Sequence, residues 1–316
     1  MIGYIVRRTL QAIVVLFGVS IVVFAIVHLV PGDPIRLALG TRFNQQAYDA
    51  LRRRSGLDKP LVPQYFYWLG HALTGDLGVS FRTGQPVTQL IGQRIGATVS
   101  LAGAALVVAL VIAVPLGLLS ALRPRTSLDY GATVISQTGI SIPEFWLAIL
   151  LILVVGAKLD WLPSAGYVPP DQSVSGWLEH LILPGIAAGV SSGSILTRFI
   201  RASALEALGR DYTLTARSKG LRERTIIVRH VIRNALVPVV TVTGVQLAYL
   251  LSGVVVVEVV FAWPGLGMLA LQSVQSRDYP VLQGAVLLFA AFFLIVNLAV
   301  DLLYARLDPR IGYASR

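Results

Sequence analysis

The stretch RASALEALGRDYTLTARSKGLRERTIIVRHVIRNALVP, from Arg201 to Pro238, decides how this chain is read. Eight of its residues are Arg or Lys and three are acidic, Glu206, Asp211 and Glu223. Apolar runs long enough to cross a bilayer lie on both sides of it. A basic, helix-forming loop is therefore held at one membrane face, and the excess of Arg and Lys makes that face cytoplasmic. Within the loop, Tyr212, Thr215, Ala216 and Lys219 recur at i, i+3, i+4 and i+7, the spacing of one helix face. Gly220 then supplies a helix stop or a tight turn. Asp211 near the start and Lys219 near the end suit the helix dipole.

Composition agrees. The chain has 316 residues, of which 55% are hydrophobic and 13% charged, where a soluble domain carries about 25% charged residues. This is the composition of an all-α polytopic membrane protein. The net charge of +10 would suggest nucleic acid in a soluble protein. Here it belongs largely to loops, where it sets orientation and meets anionic lipid, so no nucleic-acid partner is expected. The sequence has no cysteine, which excludes disulfides and thiolate metal sites. His28, His71, His180 and His230 have no metal-binding spacing, and no metal site is expected. The dominance of Arg over Lys, with Ala, Val, Leu and Gly, points to a GC-rich bacterial genome.

Outward from the central loop, six spans are expected, with both termini cytoplasmic. Leu10 to Val30 follows Arg7 and Arg8 and has the roughly 20 residues a crossing needs. Val30-Pro31-Gly32-Asp33-Pro34 is no cleavage site, so this first helix is expected to be retained. Residues 1–30 thus form an N-terminal arm and first span, and 31–96 an extracytoplasmic segment. The aromatics Tyr65, Phe66, Tyr67, Trp68 and Phe81 of that segment fit either a docking surface for another protein or a cap packed on itself and the lipid interface. Residues 97–310 hold the other five spans, and 311–316 a tail. The second span is read at Ala97 to Leu119 and the third at Tyr130 to Val155, broken at Pro143-Glu144-Phe145. Such a break is tolerated at membrane depth beside protein or water, so these three residues are candidates for a pathway lining as well as for a simple bend. The fourth span, Trp177 to Ile200, carries Gly185, Gly189 and Gly193, a stripe for close packing within the subunit or against a second one. The fifth, Val239 to Val257, carries Gln246, Tyr249 and Ser252. Glu258 and the turn Phe261-Ala262-Trp263-Pro264-Gly265-Leu266-Gly267 follow on the outside, and Val281 to Tyr304 is the sixth. Glu144, Glu258 and Asp301 are the few acids at membrane depth and are expected to face protein or water. They form no proton relay.

The central loop resembles the coupling loop of ABC-importer permeases, in which Glu-Ala-Ala is followed after three residues by Gly. Here the pattern falls on Leu214, Thr215, Ala216 and Gly220. Leu214 stands where the general pattern has Glu, and Pro238 lies further from Gly220 than usual. The strings D-Y-T-L-T-A-R-S-K-G-L and R-H-V-I-R-N-A-L-V-P are similar to the peptide/nickel importer branch. So are Trp263-Pro264-Gly265, Arg277-Asp278-Tyr279-Pro280 and the closing Asp308-Pro309-Arg310. The resemblance spans nearly the whole chain and is to B-type permeases of peptide importers, dipeptide permeases above all. It implies a type I importer permease fold in a bacterial cytoplasmic membrane. The implied partners are a second permease subunit, two ATP-binding subunits or one with two ATPase domains, and an extracytoplasmic solute-binding protein. It makes Asp211, Tyr212, Thr215, Ala216, Lys219, Gly220 and Leu221 the docking residues for an ATPase, so that a bulky side chain at Ala216 or Gly220 should lift the helix off its seat. It also implies that the turn at Trp263 projects toward the cavity mouth, the alternative being an interfacial anchor. The chain has no G-x-x-x-x-G-K-[ST] phosphate loop and no catalytic constellation. No cofactor is expected on it, and ATP and Mg would be bound by the partners. A nickel-complex importer is the alternative within the family. A proton-coupled secondary transporter would need inverted repeats and a midplane carboxylate.

Overall fold

A computed structural model of the protein describes residues 2–29, 32–39, 43–54 and 56–307. The Val30-Pro31 corner, Asp308-Pro309-Arg310 and the 311–316 tail lie outside them. Among the described residues the chain is helical without strands. The order is α1 (Ile2–Leu29), α2 (Pro34–Leu39), α3 (Gln45–Arg54), α4 (Leu61–Leu73), α5 (Val87–Leu122), α6 (Ser127–Ser141) and α7 (Glu144–Leu151). Then come α8 (Val174–Leu208), α9 (Asp211–Ser218), α10 (Glu223–Ile226), α11 (Arg233–Leu251), α12 (Val255–Val260), α13 (Leu266–Ser276) and α14 (Tyr279–Leu307). Widened π-helical turns extend α7 through Lys158 and join α10 to α11.

Four helices, α1, α5, α8 and α14, are each long and apolar enough to cross a membrane. Two bent pairs bring the number to six if each pair is one span: Ser127–Ser141 with Glu144–Lys158, at 98°, and Glu223–Leu236 with Pro238–Leu251, at 48°, a bend that falls inside α11. The first bend falls at Pro143, as its missing N–H and fixed φ dictate. Several helices run past the spans read from the sequence, α1 from Ile2 and α8 to Leu208 among them, and two further boundaries differ for particular reasons. The second span begins at Val87 and not Ala97, because apolarity marks where a helix meets lipid and not where the helix starts; Pro86 precedes its first turn. The fifth stops at Leu251 and not Val257, because Gly253 takes φ +94° and a Cβ there would come within 3.2 Å of the Gly267 backbone.

The centre of the bundle is the α5–α8 pair. A Cβ added at Gly189 would stand 2.6 Å from the Ala105 carbonyl oxygen, and one at Gly193 would stand 3.0 Å from the Ala109 Cα. The small-residue stripe therefore serves packing within the subunit. Ala105, Ala109, Ala187 and Ala188 are fully buried there. At the periphery α1 packs against α14, and the Arg8 guanidinium meets the Asp301 carboxylate at 3.2 Å. The acid near the inner end of the last span thus faces a cation at the inner end of the first. Asp278, just before α14, is buried and accepts hydrogen bonds from the Ser80 hydroxyl and, at 3.0 Å, from the Phe81 amide. Burial pushes its carboxyl up, and these donors oppose that shift. The pairing ties the segment before α5 to the last span.

Candidate functional site

Helix α9 is built by local rules. It begins beyond Arg210 with Asp211 in its first turn and Arg217 in its last. It ends where Gly220 takes φ +73°. The Leu221 amide donates to the Ala216 carbonyl at 3.3 Å and the Gly220 amide to that of Arg217 at 2.9 Å, the paired bonds of a glycine-terminated helix. A Cβ at Gly220 would meet nothing within 4 Å. Gly220→Ala is therefore expected to cost only the left-handed backbone strain, about 1–2 kcal/mol, with no clash. The check is a small fall in the Tm of the purified protein and retained transport.

One face of α9 seats on the chain itself. Thr213 is fully buried, and its hydroxyl donates at 2.8 Å to the Ala207 carbonyl in the last turn of α8. Ala216 is 5% exposed and packs with Ala121 at the end of α5, Ala204 and Ala207 of α8, Ile226 of α10, Val231 and Ala235. The expectation that Ala216 faces a partner is thereby corrected. Thr213 and Ala216 are three residues apart, and together they form the inner face. Outward point Tyr212, Leu214, Thr215, Ser218, Lys219 and Leu221. Leu214 is 55% exposed, so the departure from the Glu pattern leaves an apolar side chain on this surface. Arg217 reaches Glu223 at 2.5 Å and ties α9 to α10.

The same end of the bundle carries a network that the sequence did not reveal. Arg201 holds Asp129 through two bonds, Nε–Oδ1 at 2.7 Å and Nη2–Oδ2 at 2.9 Å, and Ser120 also donates to Asp129. The Arg125 amide adds a bond of 2.9 Å. Asp129 is 4% exposed, and its three partners come from α8, α5 and the turn before α6. The two charged residues lie 72 positions apart, so no spacing pattern announces them. Beside them a cavity of about 550 Å3 is lined by Ser120, Ser136, Gln137, Thr197, Arg198 and Arg201 among others.

The candidate pathway residues divide into two groups. Pro143 ends α6, Glu144 opens α7 near the Tyr249 hydroxyl, and Phe145 and Tyr249 are exposed beside it. Gln246, one turn from Tyr249, accepts at 3.1 Å from Ser192 of α8. These residues share a surface. Glu258, Trp263 and Gly265 lie apart from it and are buried, with Pro264 half-buried beside them. Trp263 is fully buried, its indole N–H donates to the Ala97 carbonyl at 2.8 Å, and its ring meets Tyr167 edge to face. Neither projection into the cavity mouth nor anchoring among lipid headgroups describes it, because the turn folds back onto the start of the membrane part of α5. Glu258 is fully buried as well. Its Oε2 accepts from the Met268 amide at 2.7 Å and its Oε1 from the Thr98 hydroxyl at 3.2 Å. Thr98 in turn accepts from the Leu266 amide at 2.7 Å. A Cβ at Gly267 would stand 2.9 Å from the same carboxylate, and one at Gly265 would overlap it. The turn glycines thus make room for a carboxylate that caps α13.

Comparison with known proteins gives a consistent result. Residues 113–313 match the family described as binding-protein-dependent transport system inner membrane component, and residues 1–102 match its N-terminal companion. The chain is 40% identical to the oligopeptide transport system permease protein AppB of Bacillus subtilis (strain 168), covering 99% of this chain and 100% of that one. It is 41% identical to the glutathione transport system permease protein GsiC of Escherichia coli O6:H1, again covering 99% and 100%. Among solved structures, the inward-facing MetNI methionine ABC transporter superposes with a TM-score of 0.58 at 18% identity, over 70% of this chain and 97% of that one. That last likeness concerns the fold alone.

Proposed function

Because the chain belongs to the family of inner-membrane components of binding-protein-dependent transport systems, we propose that it is the B-type permease half of an ATP-driven importer of short peptides, dipeptides among them. The observation that carries this reading is α9. One face is locked onto the chain's own helix ends while Tyr212, Leu214, Thr215, Lys219 and Leu221 stand outward. A short helix seated in this way moves as one body with the bundle and transmits displacement from a partner. It lies beside the basic segments around Arg123 and Arg201, on the side that the positive-inside rule makes cytoplasmic. With six spans, both termini lie on that side too. The outward face of α9 enters a groove on an ATPase subunit, where ATP and Mg are bound. The permease itself catalyses nothing.

A second permease completes the pathway. This chain contributes the surface that Glu144, Tyr249, Gln246 and Phe145 share, where the proline break exposes polar groups at membrane depth. Peptide cargo is supported by the names of the oligopeptide and glutathione relatives, and the solute would arrive on an extracytoplasmic binding protein. The test is reconstitution of the full transporter in liposomes with a labelled dipeptide. Uptake should require ATP and the binding protein and be indifferent to a proton gradient. Uptake driven by a proton gradient without nucleotide, or none with ATP present, overturns the reading.

A further inference from the structure

Helix α4 belongs to the segment expected outside the membrane, yet it is fastened to the first span far below that span's outer end. The Tyr65 hydroxyl and the Ser20 hydroxyl are hydrogen-bonded at 2.8 Å, a buried contact. The Tyr65 ring sits between Phe17 and Phe24 of α1, with centroids 6.3 and 5.3 Å away. Arg8, held by Asp301, marks the inner end of the span. Ser20 lies about 18 Å further along the helix, and thus about 12 Å inside a hydrocarbon layer of ~30 Å. A tyrosine reaches roughly 6–7 Å from its Cα, so the α4 backbone at Tyr65 is itself below the outer boundary.

At that depth α4 turns an apolar face away from the protein. Val62, Phe66 and Leu73 are 68, 60 and 80% exposed, and with Leu69 they fall on one side of the helix. The opposite side carries Gln64, buried and bonded at 3.1 Å to His28. The exposed face continues the uncovered flank of α1, where Val14, Phe17, Ile21 and Val22 are exposed. The ends also suit immersion. Pro60 and Pro63 remove two backbone donors from the first turn, where a helix leaves its N–H groups open. At the far end the amides of Thr74, Gly75 and Asp76 close onto the last carbonyls.

We infer that α4 is a membrane-immersed helix lying beside α1 in the outer leaflet, with Val62, Phe66, Leu69 and Leu73 in contact with lipid acyl chains. The outer leaflet follows from the orientation proposed above; the immersion rests only on the contacts with α1. The bilayer then holds one side of the segment that leads into α5, and a docking protein is left the loops around it.

The chain has no cysteine of its own, so single labels report unambiguously. Phe66→Cys and Leu73→Cys, each carrying an environment-sensitive fluorophore, are compared with Thr83→Cys on the exposed loop before α5, in the complete transporter in liposomes. Lipids brominated on their acyl chains should quench the Phe66 and Leu73 labels several-fold more than the Thr83 label, with or without the binding protein. Aqueous iodide should show the reverse order. Should Phe66→Cys fail to fold, Leu73→Cys serves alone, since its native side chain is the more exposed. Equal quenching by iodide at positions 73 and 83, or shielding of position 73 that develops only when the binding protein is added, overturns the inference. The second outcome would make α4 a protein-docking surface.

Discussion

Replacing Glu258 with Ala should unfasten α13 from the bundle and lower the Tm of the purified protein well before any effect on substrate is measurable. The carboxylate accepts directly from the Met268 amide and the Thr98 hydroxyl, and through Thr98 it orders the acceptor for the Leu266 amide. Hydrogen bonds to charged groups are worth about 1.5–3 kcal/mol each, so loss of the two direct ones alone costs roughly 3 kcal/mol or more. Water cannot compensate readily, since the residue is fully buried. Glu258→Gln keeps an acceptor and the shape, and is expected to fall between the two. Trp263→Ala should be equally damaging, at about 3–5 kcal/mol for a buried aromatic truncated to Ala, and it also removes the indole bond to the Ala97 carbonyl. The measurement is thermal unfolding of the solubilised complex, run beside transport. A Glu258→Ala complex with native Tm but no transport would show instead that the carboxylate acts in the pathway.

The outward face of α9 should govern coupling, and its inner face should govern folding. Leu214→Asp changes an exposed residue and is expected to shift stability by no more than about 0.5 kcal/mol. A central apolar contact in an interface is worth about 2 kcal/mol or more, a docking loss on the order of thirty-fold. ATP hydrolysis by the Leu214→Asp complex should therefore lose its response to loaded binding protein while the permease still inserts and folds. Thr215→Cys should form a disulfide with a cysteine placed in the ATPase groove. Ala216→Trp should fail differently: it overfills the pocket of Ala121, Ala204, Ala207 and Ile226, costs about 1–3 kcal/mol or more, and lowers the Tm as well as coupling. If Leu214→Asp couples normally and no groove position cross-links to Thr215→Cys, α9 is not the coupling element.

Much of the architecture was legible beforehand, for a definite reason. Membrane insertion depends on apolarity summed over some twenty neighbouring residues, a local property that a single sequence displays in full. The α9 boundaries were equally local: an acidic start at Asp211 and a glycine stop at Gly220 reside in the chain itself. So did the break at Pro143, because a proline without an N–H interrupts any helix it enters.

What a side chain faces was decided elsewhere. Helical spacing placed Ala216 next to Tyr212 and Thr215 on the helix wheel, but the boundary between inner and outer faces runs between them, set by the ends of α5, α8 and α10. The resemblance made Trp263 a residue for a cavity mouth, and composition one for a lipid interface; the carbonyl of Ala97, 166 positions earlier, made it part of the core. The glycine stripe of α8 announced a close approach without naming its partner, which proved to be α5. Asp129 and Arg201 carried no pattern at all. Helices and spans follow from short-range backbone and solvation energetics, and these the sequence determined alone. Burial, capping by distant carboxylates and the choice of packing face are energies of pairs brought together from far apart in the chain, and only the tertiary structure assigned them.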